Sequence, residues 1–257
     1  MLLHTHSWGD PAAAPLLCVH GVTGHGERFR RLAEERWAEQ FHVVAPDLRG
    51  HGRSGYEPPW TFPTHVADLI ETIDALGIDQ ADWVGHSFGG RLILEIAARH
   101  PERVRRAALL DPGIQVLPHV ALTVAEAELE EPVYESADDY ADRRLDSPPR
   151  ELVLEDARQH CETLPDGRLR RRTCQPAVIS IFGELASEPP PPETLRTPTL
   201  LIHAPAYGLV REEQLAAYAD RVETLAVSGM HMVMWDAFDE IVDAVPRFLL
   251  QDARAEG

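Results

Sequence analysis

Short apolar runs separated by longer amphipathic stretches constrain this chain more than any other feature. The runs are "LLHTHSW" (2–8), "PLLCVHG" (15–21), "FHVVAPD" (41–47), "ADWVGHS" (81–87), "VRRAALLD" (104–111), "TPTLLIHA" (197–204) and "RVETLAV" (221–227). Between them lie helix-like stretches at 26–39, 64–76, 88–99, 211–219 and 237–250. In the second of these, Val66, Leu69, Ile70, Ile73 and Leu76 recur at helical spacing, and Gly77 stops the pattern. Strands alternating with helices of this length predict an α/β fold: a mostly parallel sheet of about seven strands flanked by crossover helices.

The alternation breaks once. From Leu117 to Pro192 the chain is charged and helical in texture, without a clear buried strand. It ends in "SEPPPPETLRTP", whose prolines Pro189–Pro192 cannot continue a helix and read as a stiff, extended return. The expected organisation is therefore a core of residues 1–116 and 193–257, with residues 117–192 inserted as a helical cap.

Composition excludes several functions. The net charge is −18 over 257 residues, so nucleic acid is not an expected partner, because phosphate backbones need a basic patch. All 24 basic residues are arginine. Without lysine there is no Schiff base, no pyridoxal phosphate attachment and no phosphate-cradling Walker lysine. The three cysteines, Cys18, Cys161 and Cys174, lack metal-ligand spacing, and no metal site is expected. The N-terminus does not read as a signal peptide and no apolar run is long enough to span a bilayer. The expectation is a cytoplasmic protein without a membrane partner; a homodimer is left open.

Three motifs carry chemistry. "GHSFGG" (85–90) follows one apolar run and opens the helix-like stretch after it. A G-x-S-x-G turn in that context holds the serine, Ser87, in a strained elbow beside a helix N-terminus. "HGVTGHG" (20–26) also follows a strand. Its turn leaves backbone N–H groups free, and the N–H of Val22 with that of Phe88 can form an oxyanion hole. "SGMHMVMWDAF" follows the last strand and places His231 on a loop, as a general base requires. His20 and His86 belong to the turns themselves and read as structural.

Together with "DLRGHGRS" (47–54), these motifs resemble the α/β-hydrolase superfamily, in the family's order and over nearly the whole chain outside the cap. The resemblance implies the α/β-hydrolase fold with a cap after the family's sixth strand, and no cofactor. The first of the family's two leading antiparallel strands is expected to be missing. The scaffold serves esterases, lactonases, carbon–carbon hydrolases, cofactor-free oxygenases and hydrolase-like receptors. A serine at position 87 favours hydrolysis of a small-molecule ester or lactone over the aspartate-based dehalogenases and epoxide hydrolases.

The family's usual acid sits in the loop after the seventh strand. Aligning "LLIHAPAYGLVREEQ" (200–214) on that pattern puts Tyr207 there, and a neutral phenol cannot replace a carboxylate. Some relatives draw the acid from the strand that Asp111 ends, so the resemblance points to a Ser87–His231–Asp111 triad, with Glu212 and Glu213 as alternatives. Trp60, Phe62, Ile179, Phe182 and Met232 are the apolar candidates for the substrate pocket.

Overall fold

The computed structural model describes residues 1–130, 133–143 and 149–251. The parts of the expected cap and core at 131–132, 144–148 and 252–257 lie outside the described residues. Seven strands form one sheet: β1 (Thr5–Trp8), β2 (Ala14–Val19), β3 (Phe41–Pro46), β4 (Ala81–His86), β5 (Val104–Leu110), β9 (Thr199–His203) and β10 (Val222–Ala226). Their order is β1-β3-β2-β4-β5-β9-β10, and each falls on one of the seven apolar runs, β2 starting one residue before its run. Only β1 is antiparallel to its neighbour. This is the α/β-hydrolase fold, with a single antiparallel edge strand.

The central strands read as continuous apolar runs because both faces are covered. Successive side chains go to opposite sides. Leu16 and Cys18 of β2, Ala108 and Leu110 of β5, and Leu200 and Ile202 of β9 enter one core. Leu17, Val19, Ala107, Leu109 and Leu201 enter the other. The helices α2 (Phe62–Ala75), α3 (Phe88–Arg99), α8 (Glu212–Tyr218) and α10 (Phe238–Leu249) fall on the predicted amphipathic stretches to within two residues, whereas the short α9 (Val233–Asp236) lies in what reads as a loop after His231. The stretch 26–39 is not one helix. It holds a short α1 (Arg30–Glu35) between two 3₁₀ turns, since Arg36 leaves the helical region at φ −154°.

The chain leaves β2 toward β3 on one side and returns to β4 on the other. The crevice beyond the carboxyl ends of β2 and β4 is therefore the topological switch point, where ligands bind in open α/β sheets. "HGVTGHG" and "GHSFGG" both begin there.

Residues 117–192 follow β5 and are not purely helical. They contain α4 (Pro118–Ala127), α5 (Ala137–Asp142), α6 (Arg150–His160) and α7 (Gln175–Leu185), and also a three-stranded antiparallel sheet. Its strands are β6 (Val133–Tyr134), β7 (Cys161–Thr163) and β8 (Leu169–Arg171), in the order β6-β8-β7. Strands of two or three residues are too short to show as apolar alternation, which is why the sequence reads as helix throughout.

Candidate active site

Ser87 sits between β4 and α3 at φ 54°, ψ −115°. This strained conformation is possible because Gly89 lets the chain approach closely: a Cβ there would lie 2.1 Å from the Val19 carbonyl oxygen. Thr23, Ser87 and Asp111 are the three described non-glycine residues at positive φ, and all three lie at the carboxyl end of the sheet. Strain of this kind is usually confined to functional sites.

Asp111, at the end of β5, is fully buried. Its Oδ1 accepts the Ala204 N–H at 3.2 Å, and its Oδ2 lies 2.6 Å from His231 Nδ1. The carboxylate thus holds the proton on Nδ1 and leaves Nε2 free to accept another. His231 and Ser87 line one cavity of about 410 Å³, together with Val22 and Met232. The loop carrying His231 is pinned by His86, whose Nε2–H donates to the His231 carbonyl at 2.9 Å, and by Asp236, which accepts the Met230 N–H at 2.8 Å. Tyr207 occupies the loop position of the usual acid. Its ring stacks on the His231 imidazole, with centroids 4.8 Å apart and planes within 15°.

Two histidines shape the oxyanion turn. His20 donates from Nδ1 to the Gly21 carbonyl (2.7 Å) and accepts the Leu48 N–H at Nε2 (2.9 Å). His51, from "DLRGHGRS", accepts the Thr23 N–H at Nε2 (3.2 Å). Both need neutral imidazoles, and burial supplies them: it lowers His20 well below its ordinary value and pushes His51 down to about 4. The N–H groups of Val22 and Phe88 have no acceptor among the described residues. Phe88 is the first residue of α3, where the backbone N–H has no intrahelical partner.

These buried imidazoles imply acid sensitivity. His65, in α2, is pushed by burial to about 3. Unfolded histidines titrate near 6.5, so between that pH and about 4 the unfolded chain binds protons that folded His51 and His65 refuse. Stability is therefore complete above pH 6.5 and falls as the pH drops. Urea unfolding is expected to show a loss on the order of 1 kcal/mol or more between pH 7 and pH 5. A midpoint unchanged over that range would contradict it.

Of the apolar pocket candidates, only Met232 lines the cavity. Phe62 is in the core, its ring stacked 5.8 Å from Phe88 and under the Arg91 guanidinium. Trp60 packs by Gly50, and Ile179 and Phe182 lie on α7 away from the cavity. The lining comes instead from Ala127, Glu128, Tyr134, Arg143 and Arg171, a charged stretch that carries no apolar signal. Glu212 and Glu213 open α8, outside the cavity lining, and Glu213 pairs with Arg211. Among the described residues one group has metal-ligand potential, His4, His6 and Asp47. Asp47 already accepts the Gly26 and Arg53 N–H groups and faces His6 Nε2 at 3.2 Å, so hydrogen bonding accounts for the cluster.

A strained serine at a strand–helix elbow, a histidine bonded to a buried carboxylate, and a switch-point crevice define a hydrolase of the α/β type. Residues 14–171 match the family described as alpha/beta hydrolase fold, and the chain belongs to it. It is 34% identical over 245 residues to "Lipase LipV" of Mycobacterium tuberculosis, covering 90% of this chain and 91% of that protein. It is 42% identical over 120 residues to a 2-hydroxymuconate semialdehyde hydrolase of Pseudomonas putida, covering 42% of this chain and 38% of that one. Among solved structures, E-2-(acetamidomethylene)succinate hydrolase superposes with a TM-score of 0.86 at 22% identity, over 96% of this chain and 94% of the other. Among the described residues no helix is long and apolar enough to cross a membrane.

Proposed function

We propose that the protein is a serine hydrolase that cleaves carboxylic esters through an acyl-enzyme. The observation that carries this reading is the His231–Asp111 bond at 2.6 Å, in a cavity shared with an elbow serine. In this mechanism Ser87 Oγ attacks the ester carbonyl and passes its proton to His231 Nε2. The N–H groups of Val22 and Phe88 hold the oxyanion. His231 then protonates the leaving alcohol, activates a water, and returns the proton to Ser87 as the acid departs. Asp111 keeps the imidazole in the productive tautomer throughout. Residues 117–192 act as a cap, since they contribute much of the cavity wall. No cofactor takes part in this scheme. The likeness to a lipase over nine-tenths of the chain supports ester cleavage.

The partial likeness to a semialdehyde hydrolase favours carbon–carbon cleavage as the second reading. One panel separates them. A fluorophosphonate is expected to add one adduct to the protein at Ser87, detected by mass spectrometry and absent from Ser87→Ala. Turnover of p-nitrophenyl acetate or butyrate should accompany it. Absence of both adduct and turnover would overturn the serine hydrolase. Cleavage of a vinylogous diketone with no ester turnover would move the assignment to carbon–carbon hydrolysis.

A further inference from the structure

The Ser87 cavity carries three guanidinium groups, those of Arg28, Arg143 and Arg171, against one acidic lining residue, Glu128. Two of the three are committed. Arg28 is held by Asp156 through Nε at 2.7 Å and Nη2 at 3.0 Å. Arg143, half exposed, pairs with Asp139 at 2.8 Å. Arg171 differs. Its side chain is 11% exposed and its Nη2 meets Glu128 at 2.7 Å. Its Nε–H is buried with no acceptor among the described residues. Its Nη1 makes no hydrogen bond among the described residues either and is not buried, so the guanidinium, which lines the cavity, keeps a donor for an acceptor on the ligand.

Arg171 also lines a second cleft, of about 740 Å³. There it joins Arg53, Arg170 and Arg172 against one acid, Glu162. Arg170 is paired with Glu162. Arg53 and Arg172 have no ion pair among the described residues. On a chain of net charge −18 this is a local reversal of sign, and a concave basic surface concentrates anions.

We propose that the substrate of the Ser87 site carries a carboxylate, which enters past the arginine cleft and is received by the Arg171 guanidinium. The proposal rests on the reading of Ser87 as the reacting residue and adds the class of ester. A carboxylate fits better than a phosphate dianion, because each arginine of the Ser87 cavity already faces one carboxylate: Asp156, Asp139 or Glu128. What the cavity offers is one charge-assisted donor, with the Tyr134 side chain beside it, enough for a monoanion.

Binding to the Ser87→Ala protein tests this without turnover. Monomethyl glutarate and acetoxyacetate carry the charge on the acyl and alcohol sides respectively, and their methyl esters are the neutral controls. By calorimetric titration, at least one anion should bind about tenfold more tightly than its neutral ester, and the difference should shrink as salt is raised. Adding Arg171→Met should bring the ratio close to one, and Arg171→Lys should retain part of it. Glu128→Gln should increase it. A purely structural role for Arg171 would weaken charged and neutral ligands alike. Equal or weaker binding of both anions by the Ser87→Ala protein overturns the proposal, even if the fluorophosphonate still labels Ser87 in the native protein. Loss of labelling with anion selectivity intact would reject the reaction and keep the carboxylate site.

Discussion

Asp111→Asn is expected to lower the ester hydrolysis rate by about 10⁴-fold while the melting temperature stays within a few degrees. Asparagine keeps the shape and, like aspartate, tolerates the positive φ of 41° at this position. Its carbonyl oxygen can still accept the Ala204 N–H, which Asp111 Oδ1 now accepts. Its amide nitrogen, however, would donate to His231 Nδ1, where Asp111 Oδ2 now lies at 2.6 Å. The imidazole proton then moves to Nε2, the atom that has to accept the serine proton. The correct fold would carry the wrong tautomer. Adding Tyr207→Asp, to restore an acid at the loop position, should recover less than tenfold. The Tyr207 ring lies flat on the His231 ring at 4.8 Å, whereas a partner for Nδ1 must lie in the ring plane. Near-native hydrolysis by a stable Asp111→Asn protein would remove Asp111 from the site.

A second large effect is expected far from Ser87 in sequence. Asp156, on α6, is fully buried and accepts four hydrogen bonds: two from Arg28, one from His25 Nε2 at 2.9 Å and one from the Tyr140 hydroxyl at 2.7 Å. Burial alone would raise its pKa. The Arg28 charge, with the hydrogen bonds from His25 and Arg28, holds it well below the usual carboxylate range. Asp156→Ala would take from the buried Arg28 guanidinium the carboxylate that faces it through Nε and Nη2, and breaking a buried ion pair costs about 3–5 kcal/mol. For a domain of this size that is a fall in melting temperature of roughly 10 °C. Asp156→Asn should fall between the two, since it keeps hydrogen-bonding capacity but not charge. Arg28 lines the cavity, and Asp156 is its tie to residues 117–192. Both variants should therefore also blunt turnover at temperatures where they remain folded. A melting temperature unchanged by Asp156→Ala would show that this tie does not hold the inserted segment.

Much of this was legible in the residues. The central sheet strands coincide with their apolar runs because parallel strands buried on both faces need uninterrupted apolar side chains. Ser87 and His231 could be picked out because a strand–turn–helix serine and a late loop histidine are local patterns, written in a few adjacent residues. The pocket was not. Phe62 reads like a ligand contact but is taken up by Phe88 and Arg91, since an apolar residue is equally at home in a core. Arg171 carries no signal that separates it from the other charges of the stretch 117–192, and its burial follows from β8 packing into a sheet whose strands are too short to announce themselves.

By itself the sequence determined the order of elements, the sheet, the elbow and the histidine loop, because these depend on spacing along the chain. The family resemblance named Asp111 and left Glu212 and Glu213 open; the tertiary structure set Asp111 against His231 across 120 positions, and it alone decided that Tyr207 covers the imidazole face and that Asp156 holds Arg28 across 128. Those pairings depend on which strand ends lie side by side and on how the inserted segment folds back over them. Neither is encoded in any short stretch, because long-range partners are chosen by burial, charge and shape once the chain has closed on itself.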